Sequence, residues 1–138
     1  MAANKRDILQ KSKVIVVVGH SDRPHRTSYQ IAQTMRGLGY TVYPVNPTVS
    51  EINGEKSYAS LADVPEPIDI VNVFRRSEHL RGVVEEAIAV GAGVVWAQLG
   101  VADPEAERIA EEAGMPIVMD TCIKVAYYHL QYLRQNSI

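Results

Sequence analysis

The chain has 138 residues, of which 46% are hydrophobic and 22% charged, with a net charge of −2. That length supports one domain with a substantial core, and the charge balance leaves no basic surplus for nucleic acid or an anionic membrane. A single cysteine excludes an intrachain disulfide framework and a cysteine zinc cluster, and fits a reducing compartment.

Met1–Lys13 is polar and charged, with no apolar core for a secretory signal. Residues 2–10 predict a short surface helix anchored by Ile8 and Leu9, within a helical extension (residues 1–12) of a single domain spanning 1–138. Val14–Val18 is an unbroken β-branched run, the pattern of a central strand buried on both faces of a parallel sheet. Gly19 ends it, and a polar loop carrying Arg23, His25 and Arg26 follows. Thr27 or Ser28 then caps a helix whose inward face is Ile31, Met35 and Leu38, with Gly39 as its C-terminal stop.

Thr41–Val45 reads as the second strand, ending at Asn46-Pro47. Thr48–Pro67 is irregular, with a tight turn at Asn53-Gly54 and one helical turn at Ser60–Asp63. It is long enough for a parallel crossover without a full helix. The third strand is Ile68–Val73, followed by Phe74-Arg75-Arg76. Ser77 is expected to cap the next helix, with Leu80, Val83, Val84, Ala87 and Ile88 as its apolar face and Gly91 as its end. Gly93–Ala97 is the fourth strand, with Trp96 assigned to the core. The nearly apolar Ala87–Ala102 contains Gln98 and three glycines, and it falls short of the ~20 residues that span a bilayer. Asp103-Pro104-Glu105 starts a helix with an Asp cap and Pro in the first turn. Pro116–Met119 is the fifth strand. Asp120 or Thr121 caps a last helix burying Ile123, Tyr127, Leu130 and Leu133.

Strands alternating with helices under right-handed crossovers predict an α/β fold, a Rossmann-like doubly wound parallel sheet of about five strands in three layers, in the order 3-2-1-4-5. Ligands of such sheets sit beyond the carboxyl ends of the strands, where the order reverses. One rim would then carry the Gly19 loop, Asn46-Pro47, Phe74-Arg75-Arg76, Gln98-Leu99-Gly100 and Asp120–Cys122. The Gly19 loop before a helix suits an anion, through the free amides and dipole of the helix start. It lacks the three glycines of a dinucleotide fingerprint, and the second strand ends in Asn46-Pro47 instead of a ribose-binding acid, so an ordinary NAD site is disfavoured.

Arg23, Arg26, Arg75 and Arg76 come from two rim loops, and guanidinium groups suit phosphate through paired hydrogen bonds. Taken singly, each is more often a solvated surface charge balancing the sixteen acids, and the case rests on their convergence. Asn46-Pro47 either shapes a nucleoside pocket or makes a simple turn. Phe74 either packs on an adenine or closes the core. Cys122 lies where a helix dipole lowers a thiol pKa, although a small buried apolar residue is the better reading. His20 and His25 fall in the site loop, and His79 and His129 lie far apart in sequence. No spacing suggests a metal site, and no Ser/His/Asp arrangement or glycine-framed nucleophile is visible.

The pattern VVGHS…RTSY, then YPVNP…EINGEKSYASLADVPEPIDIVNVFRRSE, then VVWAQLG and MDTCIK resembles the stand-alone CoA-binding domain proteins. These are small bacterial and archaeal relatives of the nucleotide-binding domain of the succinyl-CoA synthetase alpha subunit. The resemblance covers roughly residues 13–126. It implies a Rossmann-type domain holding coenzyme A or an acyl-CoA. Gly19, His20, Ser21, Arg26, Ser28 and Tyr29 match the family's first loop, Asn46 and Pro47 the second, Phe74, Arg75 and Arg76 the third, and Gln98 and Gly100 the fourth. The family often has a small residue where this chain has His20. The synthetase's phosphorylated histidine belongs to a different domain, so ligase activity is not implied. The expectation is a cytoplasmic CoA-binding module without evident catalytic apparatus, with no nucleic-acid or membrane partner. The alternatives are a small enzyme or redox protein using a CoA thiol or thioester near Cys122, and a nucleotide-sensing interaction module.

Overall fold

The unbroken apolar run Val14–Val18 (β1) is buried along its whole length. Alternate residues serve opposite layers: Val16 and Val18 enter one apolar cluster, Ile15 and Val17 the other. Full burial of each such side chain contributes about 1.5–3 kcal/mol. The computed structural model describes residues 4–136. In chain order its elements are α1 (Lys5–Lys11), β1, α2 (Thr27–Gly37), β2 (Thr41–Val45), β3 (Glu51–Ile52), β4 (Glu55–Lys56), β5 (Ile70–Val73), α3 (Leu80–Val90), β6 (Val94–Ala97), α4 (Pro104–Glu112), β7 (Ile117–Val118) and α5 (Ile123–Gln135). The first helix begins at Lys5; the expected start at residue 2 lies outside the described residues. No helix among the described residues is long and apolar enough to cross a membrane.

The main sheet is parallel and five-stranded, in the order β2-β1-β5-β6-β7. Counted along the chain this is 2-1-3-4-5, which corrects the expected 3-2-1-4-5. Both edges of β1 are taken, by β2 on one side (Val17 opposite Pro44) and by β5 on the other (Val17 opposite Asn72). Pro44 supplies the physical reason. Proline has no N–H to give a second neighbour, so the second strand belongs at an edge. There, among the described residues, its outer side receives only an isolated bridge, Val45 to Tyr58, in which the Tyr58 amide donates to the Pro44 carbonyl at 3.0 Å. The third strand is buried at all four positions and takes the interior place. Asp69 anchors its start by accepting from the amides of Lys13 and Val14 at 2.8 and 2.9 Å.

Residues of α1, α2 and α5 cover one face of the sheet with Leu9, Ile31, Met35 and Ile123, around Trp96. Residues of α3 and α4 cover the other with Leu80, Val84, Ala106 and Ala110. Trp96 is fully buried, as the sequence predicts, and its indole N–H donates to the Thr121 carbonyl at 3.0 Å. The irregular Thr48–Pro67 segment holds a small hairpin, β3-β4, turning at Asn53-Gly54 with φ of 52° and 83°. Two consecutive positive φ values are what a two-residue hairpin turn needs. A single turn of 3-10 helix at Leu61–Asp63 then buries Leu61.

Most expected caps are placed differently. Arg26 stands at the start of α2 with no side-chain cap, and Ser28 accepts instead from the Ser21 amide at 2.9 Å. Ser77 opens a 3-10 turn (Ser77–His79), and its hydroxyl accepts from the Ala102 amide at 3.0 Å. Cys122 precedes α5, while Asp120 accepts from the Gly100 amide at 2.7 Å and Thr121 donates to the Met119 carbonyl. For Ser28, Ser77 and Asp120 a partner at least seven residues away holds the hydroxyl or carboxylate that sequence assigns to the helix start, whereas Thr121 is held by Met119, two residues back. Asp103 caps α4 as expected, accepting from the Glu105 amide at 3.2 Å. Leu133, expected inside, is 49% exposed, while Tyr127 and Leu130 pack partly buried against the cluster around Trp96.

Candidate functional site

Strand order reverses between β1 and β5, the place where doubly wound sheets offer a crevice to ligands. Gly19 leaves β1 at φ 86°, a conformation favouring glycine. The Gly19 amide donates to the Val45 carbonyl and the Phe74 amide to the Val18 carbonyl, both at 2.9 Å. Three strand ends are thereby tied into one floor. The sequence-predicted loops after the first and third strands are closer neighbours than the expected order allowed.

Two adjoining hollows rise from this floor. One, of about 400 Å3, is lined on its polar side by Asn46, Thr48, Arg75, Arg76, His79 and Glu86. The other, of about 830 Å3, is lined by Ser21, Asp22, Arg23, His25, Arg26, Thr27 and Ser28. Gly19, Asn46, Thr48 and Phe74 belong to both, so the hollows meet there. Arg23, Arg26 and Arg75 are exposed, and among the described residues none has a carboxylate within 4.0 Å. Arg76 pairs loosely with Glu78 at 3.4 Å and stays 84% exposed. Two loops thus present mostly unpaired guanidinium groups to one crevice, beside a helix start that no side chain caps. Chemically this favours an anion with more than one phosphate.

Other expected site residues act from beneath. His20 is fully buried. Its Nδ1 lies 2.7 Å from the Ser21 carbonyl and its Nε2 3.2 Å from an Arg36 guanidinium nitrogen. Burial, with Arg36 adding to it against the Ser21 hydrogen bond, lowers its pKa to about 4. Asn46 spends its amide on the protein: Nδ2 donates to the His20 carbonyl at 2.9 Å, and Oδ1 accepts from the Thr48 amide and hydroxyl. Of the two open readings for Asn46-Pro47, the turn is realised, and Pro47 lines the smaller hollow. Tyr29 packs its ring edge-on to His20, and its hydroxyl accepts from Asn53 at 2.7 Å. Of the two readings open for Phe74 the core contact is realised, since it packs against the buried cluster, and the residue also borders both hollows.

Gln98 and Gly100 are not brought into this crevice. They follow β6, which in the expected order neighbours β1 but in the observed sheet stands one strand farther away. Gln98 is buried, with its side-chain oxygen 3.4 Å from the Ile123 amide, and the Gly100 amide is held by Asp120. Cys122 is half-buried and lines neither hollow. Sequence reasoning missed His79, Val83 and Glu86, which line the smaller hollow. Their spacing, near one and two helical turns, was the available signal.

A family model described as "CoA binding domain" matches residues 13–128. A Bacillus subtilis (strain 168) protein named uncharacterized protein YneT is 51% identical over 91% of this chain and 93% of its own length. The ADP-forming acetate–CoA ligase I of Archaeoglobus fulgidus is 28% identical over 80% of this chain, which spans only 18% of that enzyme. Among solved structures, a Thermus thermophilus protein matches at TM-score 0.87 with 38% identity, over 93% of this chain and 99% of that one. A hypothetical protein of Pyrococcus horikoshii OT3 matches at 0.89, also with 38% identity, over 92% and 89%. The chain therefore belongs to the CoA-binding domain family and is related to the CoA-binding portion of ADP-forming acetyl-CoA synthetases.

Proposed function

We propose that this protein binds coenzyme A, free or acylated, in the crevice over β1 and β5, and that it does so in the cytoplasm without performing the ligase reaction of its longer relatives. The carrying observation is that two loops, 19–28 and 74–76, bring four arginines to one floor at Gly19 and Phe74, and of these Arg76 alone has a close carboxylate, Glu78 at 3.4 Å, among the described residues. Coenzyme A has two separated phosphate loci, a pyrophosphate and a ribose 3′-phosphate, and two cationic loops match that number. Family membership supports the same ligand. The site residues of this reading are Gly19, Ser21, Arg26, Ser28, Pro47, Phe74, Arg75 and Arg76, with His20, Tyr29 and Asn46 holding the loops from below. Gln98 and Gly100 fall outside it. Cys122 lines neither hollow, so thiol chemistry there gains no support.

Thermal unfolding with CoA, acetyl-CoA, NAD, NADP and ATP tests the reading. A ligand that binds only the native state raises the melting temperature by mass action, by about 2.7 kcal/mol of stability at a hundred times its Kd. CoA or acetyl-CoA should give the largest shift. A larger shift with NAD would overturn the reading, since the strand end offers Asn46-Pro47 where NAD requires an acid.

A further inference from the structure

Arg36 lies on α2, two turns beyond the loop, and lines neither hollow. It is half-buried, and its guanidinium meets four partners. Nη1 approaches His20 Nε2 at 3.2 Å and donates to Gln33 at 2.5 Å; Nη2 reaches the Val42 carbonyl at 3.5 Å and Glu55 of β4 at 3.9 Å. A guanidinium has only donors. His20 Nε2 must therefore accept, so the ring proton sits on Nδ1 and is donated to the Ser21 carbonyl at 2.7 Å. An imidazolium would set a second donor and a second positive charge against Arg36. Beyond Ser21 the bonds continue into the loop: its amide donates to Ser28 at 2.9 Å, and its hydroxyl accepts from the Arg23 amide at 3.0 Å. The His20 carbonyl accepts from Asn46 at 2.9 Å, which brings in the loop after β2.

We propose that Arg36 is a positioning residue for the ligand loop, acting through the buried imidazole of His20. It holds His20 in the Nδ1–H tautomer, and that tautomer fixes Ser21 and with it the backbone carrying Arg23 and Arg26. Glu55 steadies Arg36 from the hairpin. The effect on CoA affinity rests on the proposed function above; the effect on loop order does not.

The test measures amide hydrogen exchange in the free protein together with CoA affinity by calorimetry, for the parent, Arg36→Met and Arg36→Lys. Loss of one hydrogen-bonded link is worth about fivefold. Arg36→Met should speed exchange at the Ser21 and Arg23 amides by about that factor or more, with β5 and β6 amides unchanged, and weaken CoA about fivefold. Arg36→Lys keeps a donor toward Nε2 and should recover much of both. A long-range 1H–15N spectrum of the parent should show His20 protonated on Nδ1. An Nε2–H tautomer, or unchanged exchange at Ser21 and Arg23 in Arg36→Met, overturns the proposal. The spectrum needs no variant, so it decides even if Arg36→Met fails to fold. If the parent does not bind CoA, the proposed function falls while exchange and tautomer still decide the relay. Altered exchange with unaltered CoA affinity would overturn the link to the ligand.

Discussion

Gly19 and Phe74 approach so closely that a β-carbon on Gly19 would lie 2.6 Å from the Phe74 carbonyl oxygen. Backbone, not a flexible side chain, closes the space. The contact joins the loop after β1 to the arginine pair at 75 and 76, so glycine here serves the crevice as well as the turn. Gly19→Ala adds a methyl to that gap and a side chain at φ 86°. We expect a loss of about 2–4 kcal/mol from strain and overpacking together, read from urea unfolding, and unchanged stability would show that the loops separate at little cost.

Arg26→Ala and the double change Arg75→Ala/Arg76→Ala should each weaken CoA binding without lowering the melting temperature, because all three side chains are exposed and hold no part of the core. Charged hydrogen bonds are worth roughly 1.5–3 kcal/mol, or about ten- to more than hundredfold in affinity. Calorimetric titration reads this directly. Parent-like affinity in both variants would make these arginines ordinary surface charges.

Recognition of the 3′-phosphate separates a CoA site from a general adenine-nucleotide site. Dephospho-CoA should bind more weakly than CoA, and by a margin that narrows as salt screens the exposed guanidinium groups. Titrations of both ligands at two salt concentrations check it. Equal affinity at both would leave only one cationic loop in use.

His20 makes stability depend on pH. Its folded-state pKa, about 4, lies below its ordinary 6.5, so between these values the unfolded chain binds a proton that the native protein does not. Stability is therefore full above pH 6.5 and falls as pH drops toward 4. A unit of difference is about 1.4 kcal/mol, so the expected loss across this range is on the order of 3 kcal/mol. His20→Gln should flatten that part of the curve in urea unfolding from pH 7 to 4.5; an equally steep curve would place the titration elsewhere.

Local pattern carried most of the elements. The Val14–Val18 run, Thr41–Val45, the Asp103-Pro104 helix start and the Asn53-Gly54 turn follow from residue chemistry within a few positions, and the structure agrees at each. The strand order did not follow, although Pro44 carried the clue: a residue without an N–H marks an edge strand, and the sequence-based order placed it inside. Three of the missed caps share one cause. Ser28, Ser77 and Asp120 each bond a group at least seven residues away, and nothing near them in sequence foretells it.

The sequence by itself determined the alternation of strands and helices and the arginine-bearing loops, which rest on side-chain type and short-range spacing, while the family came from resemblance along residues 13–126. Only the tertiary structure decided which loops share a crevice. Setting β1 beside β5 brings Gly19 against Phe74 and moves Gln98 and Gly100 a strand away. It also decided that His20, in the middle of a polar loop, turns inward to meet Arg36 from the following helix. Both outcomes depend on packing between segments distant along the chain, where burial and pairing across the sheet outweigh any preference a residue has for its neighbours.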